Sequence, residues 1–115
     1  MCDCGDGPET YRESRPKAKK QHKCCECGRA IQPGETYRHL WGVWDGDPKT
    51  FKTCDDCLGL EDWARDQMDC FCPRFGDLRQ EVLDMVHDSG EQDVIAEGTR
   101  RVREIEQRAG IGARQ

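Results

Sequence analysis

Cys24-Cys25-Glu26-Cys27 and, after 26 intervening residues, Cys54-Asp55-Asp56-Cys57 are the stretches of this 115-residue chain that decide its fold. Each is a Cys-x-x-Cys clip. Two thiolates separated by two residues can bend round one ion, and a second clip completes the tetrahedral sulfur set that structural zinc takes. Gly28 directly follows the first clip, where a knuckle must turn tightly and direct backbone N–H groups at sulfur. Cys25 lies between two ligands and points away from the metal. Cys24, Cys27, Cys54 and Cys57 are therefore read as the ligands of one structural Zn2+.

Nine cysteines in a chain this short also raise a disulfide framework. That belongs to secreted proteins, whereas Met1-Cys-Asp-Cys-Gly-Asp-Gly-Pro8 has no apolar core of a signal peptide and the cysteine count is odd. No apolar run approaches a membrane span, so a cytoplasmic, reducing location is expected. No βαβ pattern accompanies either clip, which argues against a thioredoxin-like redox role. Only 35% of the residues are hydrophobic against 36% charged, so an ordinary core would be thin. A structural zinc contributes on the order of 10 kcal/mol to folding and can replace missing core.

The elements around the clips read as knuckle, hairpin and helix. Gln32-Pro33-Gly34-Glu35 has the Pro and Gly that a type II turn requires. Thr36–Trp44 alternates as a strand, with Tyr37, His39, Trp41 and Val43 on one face and Arg38, Leu40 and Trp44 on the other. Asp45-Gly46-Asp47-Pro48 reads as the hairpin turn, and Thr50–Thr53 as the returning strand that delivers Cys54. Asp55 and Asp56 suit a helix start, and Cys57, Leu60, Ala64 and Met68 follow at helical spacing. This order resembles the treble-clef zinc finger. The fold expected is a small α+β protein: a leader over 1–19, a treble-clef-like zinc domain over 20–76, a C-terminal helical segment over 77–109 and a flexible tail over 110–115.

In the helical segment, Asp77 with Gln80 reads as a capping box. Leu78, Val82, Met85 and Val86 form one apolar stripe, ending near Ser89-Gly90. A last helix over Glu91–Arg108 carries Val94, Ile95, Val102 and Ile105 on one side, and Gly98 weakens its middle by about 1 kcal/mol relative to Ala. Burying four such side chains is worth roughly 6–10 kcal/mol before ordering costs. The second stripe thus needs a cover: a dimer or docked partner over Val102 and Ile105, or an internal helical hairpin.

Cys2-x-Cys4 and Cys70-x-Cys72 pair into a second quartet, with Cys25 left over. Each is a tighter clip than Cys-x-x-Cys, so two zinc ions, one zinc ion, and a partial set joined by His22 are all open readings. The basic run Arg15, Lys17, Lys19, Lys20, Lys23 is either a nucleic-acid footprint or a solvated arm. The formal charge of −5 opposes polyanion binding outside a local patch. Arg100, Arg101, Arg103 and Arg108 are interleaved with Glu97, Glu104 and Glu106, as on a solvated helix face. Of the three tryptophans, Trp44 beside the hairpin turn is read either as an exposed partner contact or as a cover for the knuckle. No phosphate loop, Ser/His/Asp order or HExxH spacing suggests catalysis, and four cysteines close a zinc site. His39 lies in the hairpin, as in treble-clef nucleases, but the chain has no Asn to complete a His-Asn-His set.

The string His22-Lys-Cys24-Cys-Glu-Cys27-Gly-Arg-Ala-Ile-Gln-Pro33-Gly34-Glu35-x-Tyr37, with Gly42-x-Trp44-Asp-Gly46 and Phe51-Lys-Thr-Cys54-x-x-Cys57, resembles small Cys-rich zinc-binding proteins of tailed bacteriophages and prophages. Cys2-x-Cys4, Cys70-Phe-Cys72 and Gly76 share in that likeness, which runs through about residue 80. The resemblance implies a phage-type zinc-binding accessory protein acting in the bacterial cytoplasm, and it makes the second quartet a shared site. It implies no defined activity by itself. Together with the acidic balance, the closed metal site and the small size, it leads to the expectation of a non-enzymatic protein that binds a host or phage protein, with inhibition of a host enzyme or defence complex as one form of that role. The alternative is a nucleic-acid-binding zinc finger in phage transcription or replication.

Overall fold

The computed structural model describes residues 10–68 and 71–110. It is a small α+β protein with strands β1 (Thr10–Ser14), β2 (His22–Lys23), β3 (Ala30–Ile31), β4 (Arg38–Trp44) and β5 (Asp47–Thr53), then helices α1 (Asp55–Gln67), α2 (Leu78–Ser89) and α3 (Gln92–Ala109). β2 and β3 pair as a short ribbon, and β1, β4 and β5 form an antiparallel sheet with β4 at its centre.

The β4–β5 turn is tighter than the sequence suggested. Asp45 (φ 52°) and Gly46 (φ 78°) both take the left-handed conformation that a two-residue type I′ hairpin demands. Asp47 and Pro48 are therefore already strand, opposite Trp44 and Val43. Pro48 is tolerated because β5 is an edge strand, where a missing N–H leaves no ladder bond broken. The other edge is β1, which the sequence reading left in the polar leader. It runs from Thr10 opposite Val43 to Ser14 opposite His39, and all five of its residues are exposed.

The basic segment that follows is tied down rather than free. Ala18 N donates to Glu35 O at 2.8 Å, Gly34 N to Ala18 O at 2.8 Å, and Tyr37 N to Pro16 O at 3.2 Å. The expected type II turn is present: Glu35 N donates to Gln32 O at 3.0 Å and Gly34 has φ 93°.

The helices pack on one another and on the metal-ligand region to form a single core. Leu60 and Ala64 of α1, Leu78, Val82 and Val86 of α2, and Val102 and Ile105 of α3 are buried together, with Val94 and Ile95 partly covered against them. Val102 is 1% exposed and Ile105 5%. As a partner surface these two residues are therefore excluded: the C-terminal stripes cover each other and α1. Gly98 marks the tightest crossing. A Cβ there would meet Val86 Cγ1 at 2.6 Å and the Trp63 ring at 3.1 and 3.3 Å. Its helix-weakening effect thus accompanies close helix contact.

Two further expectations change. Asp77 is the N-cap of α2, but its side chain makes no capping bond, and Gln80 Nε2 donates to Asp84 Oδ1 instead. Trp44, expected as an exposed contact or a knuckle cover, is half-buried in an aromatic cluster. Its ring lies edge-on to Phe51 (5.6 Å) and Phe75 (6.1 Å), which stack at 4.1 Å. Among the described residues no helix is long and apolar enough to cross a membrane.

Candidate metal centre

Local backbone geometry delivers the four predicted sulfurs to one point. β2 ends at Lys23, just before Cys24, and the chain reverses so that Cys24 N donates to Arg29 O and Gly28 N to Cys24 O, both at 3.0 Å. Gly28 at φ 79° permits the reversal; a side chain there would be strained. Cys25 N donates to Lys52 O at 2.8 Å, which fixes the knuckle against β5. β5 leads into Cys54, the extended N-cap of α1, and Cys57 follows in the first helical turn. The hairpin and the helix start therefore set the second clip.

All four cysteines are buried and carry free thiols, and their sulfurs lie within 4.8 Å of one another. Cys24 Sγ is 3.9 Å from Cys57 Sγ, and Cys27 Sγ is 3.7 Å from Cys54 Sγ. A tetrahedral ion with metal–sulfur bonds of about 2.3 Å requires sulfur–sulfur edges of about 3.8 Å. The spacing is far longer than the ~2.05 Å of a disulfide and fits one metal ion. Glu26 N and Cys54 N donate to Cys24 Sγ at 3.4 and 3.3 Å, the kind of N–H···S bond that stabilises a thiolate.

Proximity couples the four thiols, so that ionising one opposes ionising the next. Hydrogen bonds from Cys27, Cys54 and Cys57 pull Cys24 well below the ordinary thiol range. The neighbouring sulfurs of Cys24, Cys27 and Cys54, with burial, push Cys57 far above it. Four thiolates this close need a cation among them to share their charge. Cys25 is of a different kind. Burial pushes it up to about 11, and its Sγ lies 3.5 Å from Thr53 Oγ1, outside the cluster.

The surroundings key the centre to the helices. Glu26, buried in the middle of the first clip, accepts the backbone N–H groups of Gly76 (3.0 Å) and Leu78 (3.1 Å) at the start of α2. Burial pushes the Glu26 carboxyl above its usual range, and those two donors oppose the shift. Arg29 Nη2 pairs with Glu35 at 3.0 Å and Arg29 Nε with Asp56 at 3.3 Å, while Arg108 from α3 reaches the same Asp56 at 3.0 Å. Neither Glu26 nor Arg29 was singled out from sequence, because their partners lie far along the chain. The Asp55-Asp56 pair at the helix start was the only local hint.

Of the second expected set, Cys2, Cys4 and Cys70 lie outside the described residues. Cys72 is half-buried and its sulfur is in a disulfide. On α3, Arg100 and Arg101 are neutralised as a mixed-charge face implies: Arg100 pairs with Glu97 and Glu104, and Arg101 with Glu97, each at 2.6 Å. Arg15, Lys17, Lys19, Lys20 and Lys23 are exposed. His22 tilts over Tyr37 at 5.2 Å, and its pKa is lowered by desolvation and by the charges of Lys52, Lys20 and His39.

The chain matches no protein-family model, no curated protein and no solved structure.

Proposed function

We propose that this protein is a non-enzymatic, zinc-stapled binding module of treble-clef type. The observation that carries the reading is the Cys24, Cys27, Cys54, Cys57 cluster, whose sulfur separations of 3.7 and 3.9 Å suit a tetrahedral ion. Four buried sulfur donors leave an ion no open position for substrate, so the metal's role is to hold knuckle, hairpin and helix together. An all-sulfur tetrahedral set selects zinc over harder cations. The resemblance to Cys-rich proteins of tailed phages supports an accessory role in the cytoplasm of a bacterial host.

Two partner classes were open: a host or phage protein, and nucleic acid. The protein reading loses Val102 and Ile105, which are buried. The nucleic-acid reading gains from the uneven distribution of charge. Residues 10–53 hold ten Lys/Arg against five Asp/Glu, whereas residues 55–110 hold seven against fifteen. The net charge of −5 thus hides a basic sheet-and-knuckle half joined to an acidic helical half. A locally basic half attracts a polyanion despite the overall sign. We therefore favour nucleic acid as the partner. Chelation at neutral pH tests the staple: removal of zinc should abolish the cooperative thermal transition. An unchanged melting temperature with zinc demonstrably removed contradicts the reading.

A further inference from the structure

The antiparallel register sorts the side chains of the three-stranded sheet into two unlike faces. On one face lie Arg38 and Leu40, both buried, with Arg38 bonded to Glu61 of α1. Pairing places Thr10, Val43 and Pro48 in one row of the opposite face, Arg12, Trp41 and Thr50 in the next, and Ser14, His39 and Lys52 in the third. Every residue of this second face is exposed or half-exposed. Trp41 stands at its centre, between Arg12 on one strand and Thr50 on the other.

Among the described residues, these three rows carry no carboxylate. Glu13 and Asp47 belong to the two edge strands, but alternation sends them to the other side, opposite Leu40 and Trp44. Neither Arg12 nor Lys52 has an ion-pair partner among the described residues. His39 precedes Trp41 by two residues along β4, a spacing of about 6.7 Å on the same face. A flat sheet with a central aromatic ring, a second ring beside it and cations at its flanks meets the chemistry of unstacked bases on a phosphate backbone. A duplex keeps its base faces stacked inside and cannot use the Trp41 ring.

We propose that the Trp41 face of the sheet binds single-stranded nucleic acid, with a base stacked on Trp41 and phosphates held by Arg12 and Lys52. This deepens the nucleic-acid reading and rests on it; the site moves from the lysine-rich segment to the sheet. Residues on that segment, such as Lys20, extend the positive field beyond the sheet edge.

The test is fluorescence anisotropy of a labelled oligo-dT of about 12 nucleotides, titrated with the full chain from about 50 to 200 mM salt. Zinc is assayed in the same preparation. Salt-sensitive binding is expected, weakened at least about fivefold by Trp41→Ala. Arg12→Glu and Lys52→Glu should each flatten the salt slope by about 0.7, while Arg103→Glu on the helical half leaves binding unchanged. These charge variants, exposed or half-exposed, keep the test valid should Trp41→Ala fold poorly. The proposal is overturned by zinc-loaded protein that does not bind, by duplex bound as tightly as single strand, or by unaltered binding in all three face variants. Competition by poly-glutamate equal to that of the oligonucleotide also overturns it, in favour of an acidic protein partner. A folded preparation without zinc overturns the staple reading instead.

Discussion

Glu26 and Leu78 lie 52 positions apart, yet the Glu26 carboxylate accepts the Leu78 backbone N–H at 3.1 Å and, through its second oxygen, that of Gly76 at 3.0 Å. The residue between two of the clustered cysteines thus occupies the N-terminus of α2, where unpaired N–H groups and the helix dipole favour a negative charge. The metal knuckle and the helical core share one residue.

Glu26→Ala should therefore loosen α2 without removing a ligand. It leaves two backbone donors without their acceptor, a loss of roughly 2–4 kcal/mol. Glu26→Gln, which keeps an acceptor oxygen, should lose less. Urea unfolding measures both. If the alanine variant unfolds at the same urea concentration as the parent chain, the coupling of knuckle to helix is wrong.

Gly98 offers a test in which two local effects have opposite sign. Helix propensity alone predicts that Gly98→Ala stabilises α3 by about 1 kcal/mol. The new methyl would instead meet Val86 Cγ1 at 2.6 Å, where something must shift. Overpacking of this kind costs about 1–3 kcal/mol, so net destabilisation is expected. Adding Val86→Ala should recover part of the loss in a double-mutant cycle. A higher melting temperature for Gly98→Ala would show that α3 does not cross so closely.

Arg38 and Glu61 form an ion pair at 3.2 Å with side chains only 9% and 6% exposed, linking β4 to α1. Arg65 adds a second, mostly exposed partner to Glu61 at 2.8 Å. Glu61→Leu strands the Arg38 charge and should destabilise by about 3–5 kcal/mol. Replacing both, as Arg38→Met with Glu61→Leu, should restore much of the loss. Denaturation midpoints decide; a harmless single substitution would mean that water reaches Arg38.

The metal site was legible because its signal is local. Cys-x-x-Cys spacing, Gly28 and the Asp55-Asp56 helix start each report a conformation within a few residues. The core stripes were legible from helical periodicity, but not what covers them. Val102 and Ile105 find their cover in α1 and α2, which only tertiary packing reveals. β1 escaped notice because an exposed edge strand needs no apolar alternation; Thr10–Ser14 is held by its ladder with β4. The Asp77/Gln80 capping box failed because both of its partners are engaged elsewhere: the Asp77 N–H donates to Arg74 O at 3.0 Å, and Gln80 Nε2 turns to Asp84 Oδ1. Trp44 could not be placed until Phe75 was seen to reach back across the hairpin.

Metal stoichiometry tests the central claim most directly. Zinc per chain is measured by inductively coupled plasma mass spectrometry for the parent protein and for the Cys54→Ser/Cys57→Ser and Cys25→Ser variants, all purified at neutral pH. The account predicts that the Cys54/Cys57 variant loses one zinc per chain relative to the parent, while Cys25→Ser loses none. Equal zinc in the parent and the Cys54/Cys57 variant, or a folded parent chain that carries no zinc, would contradict it.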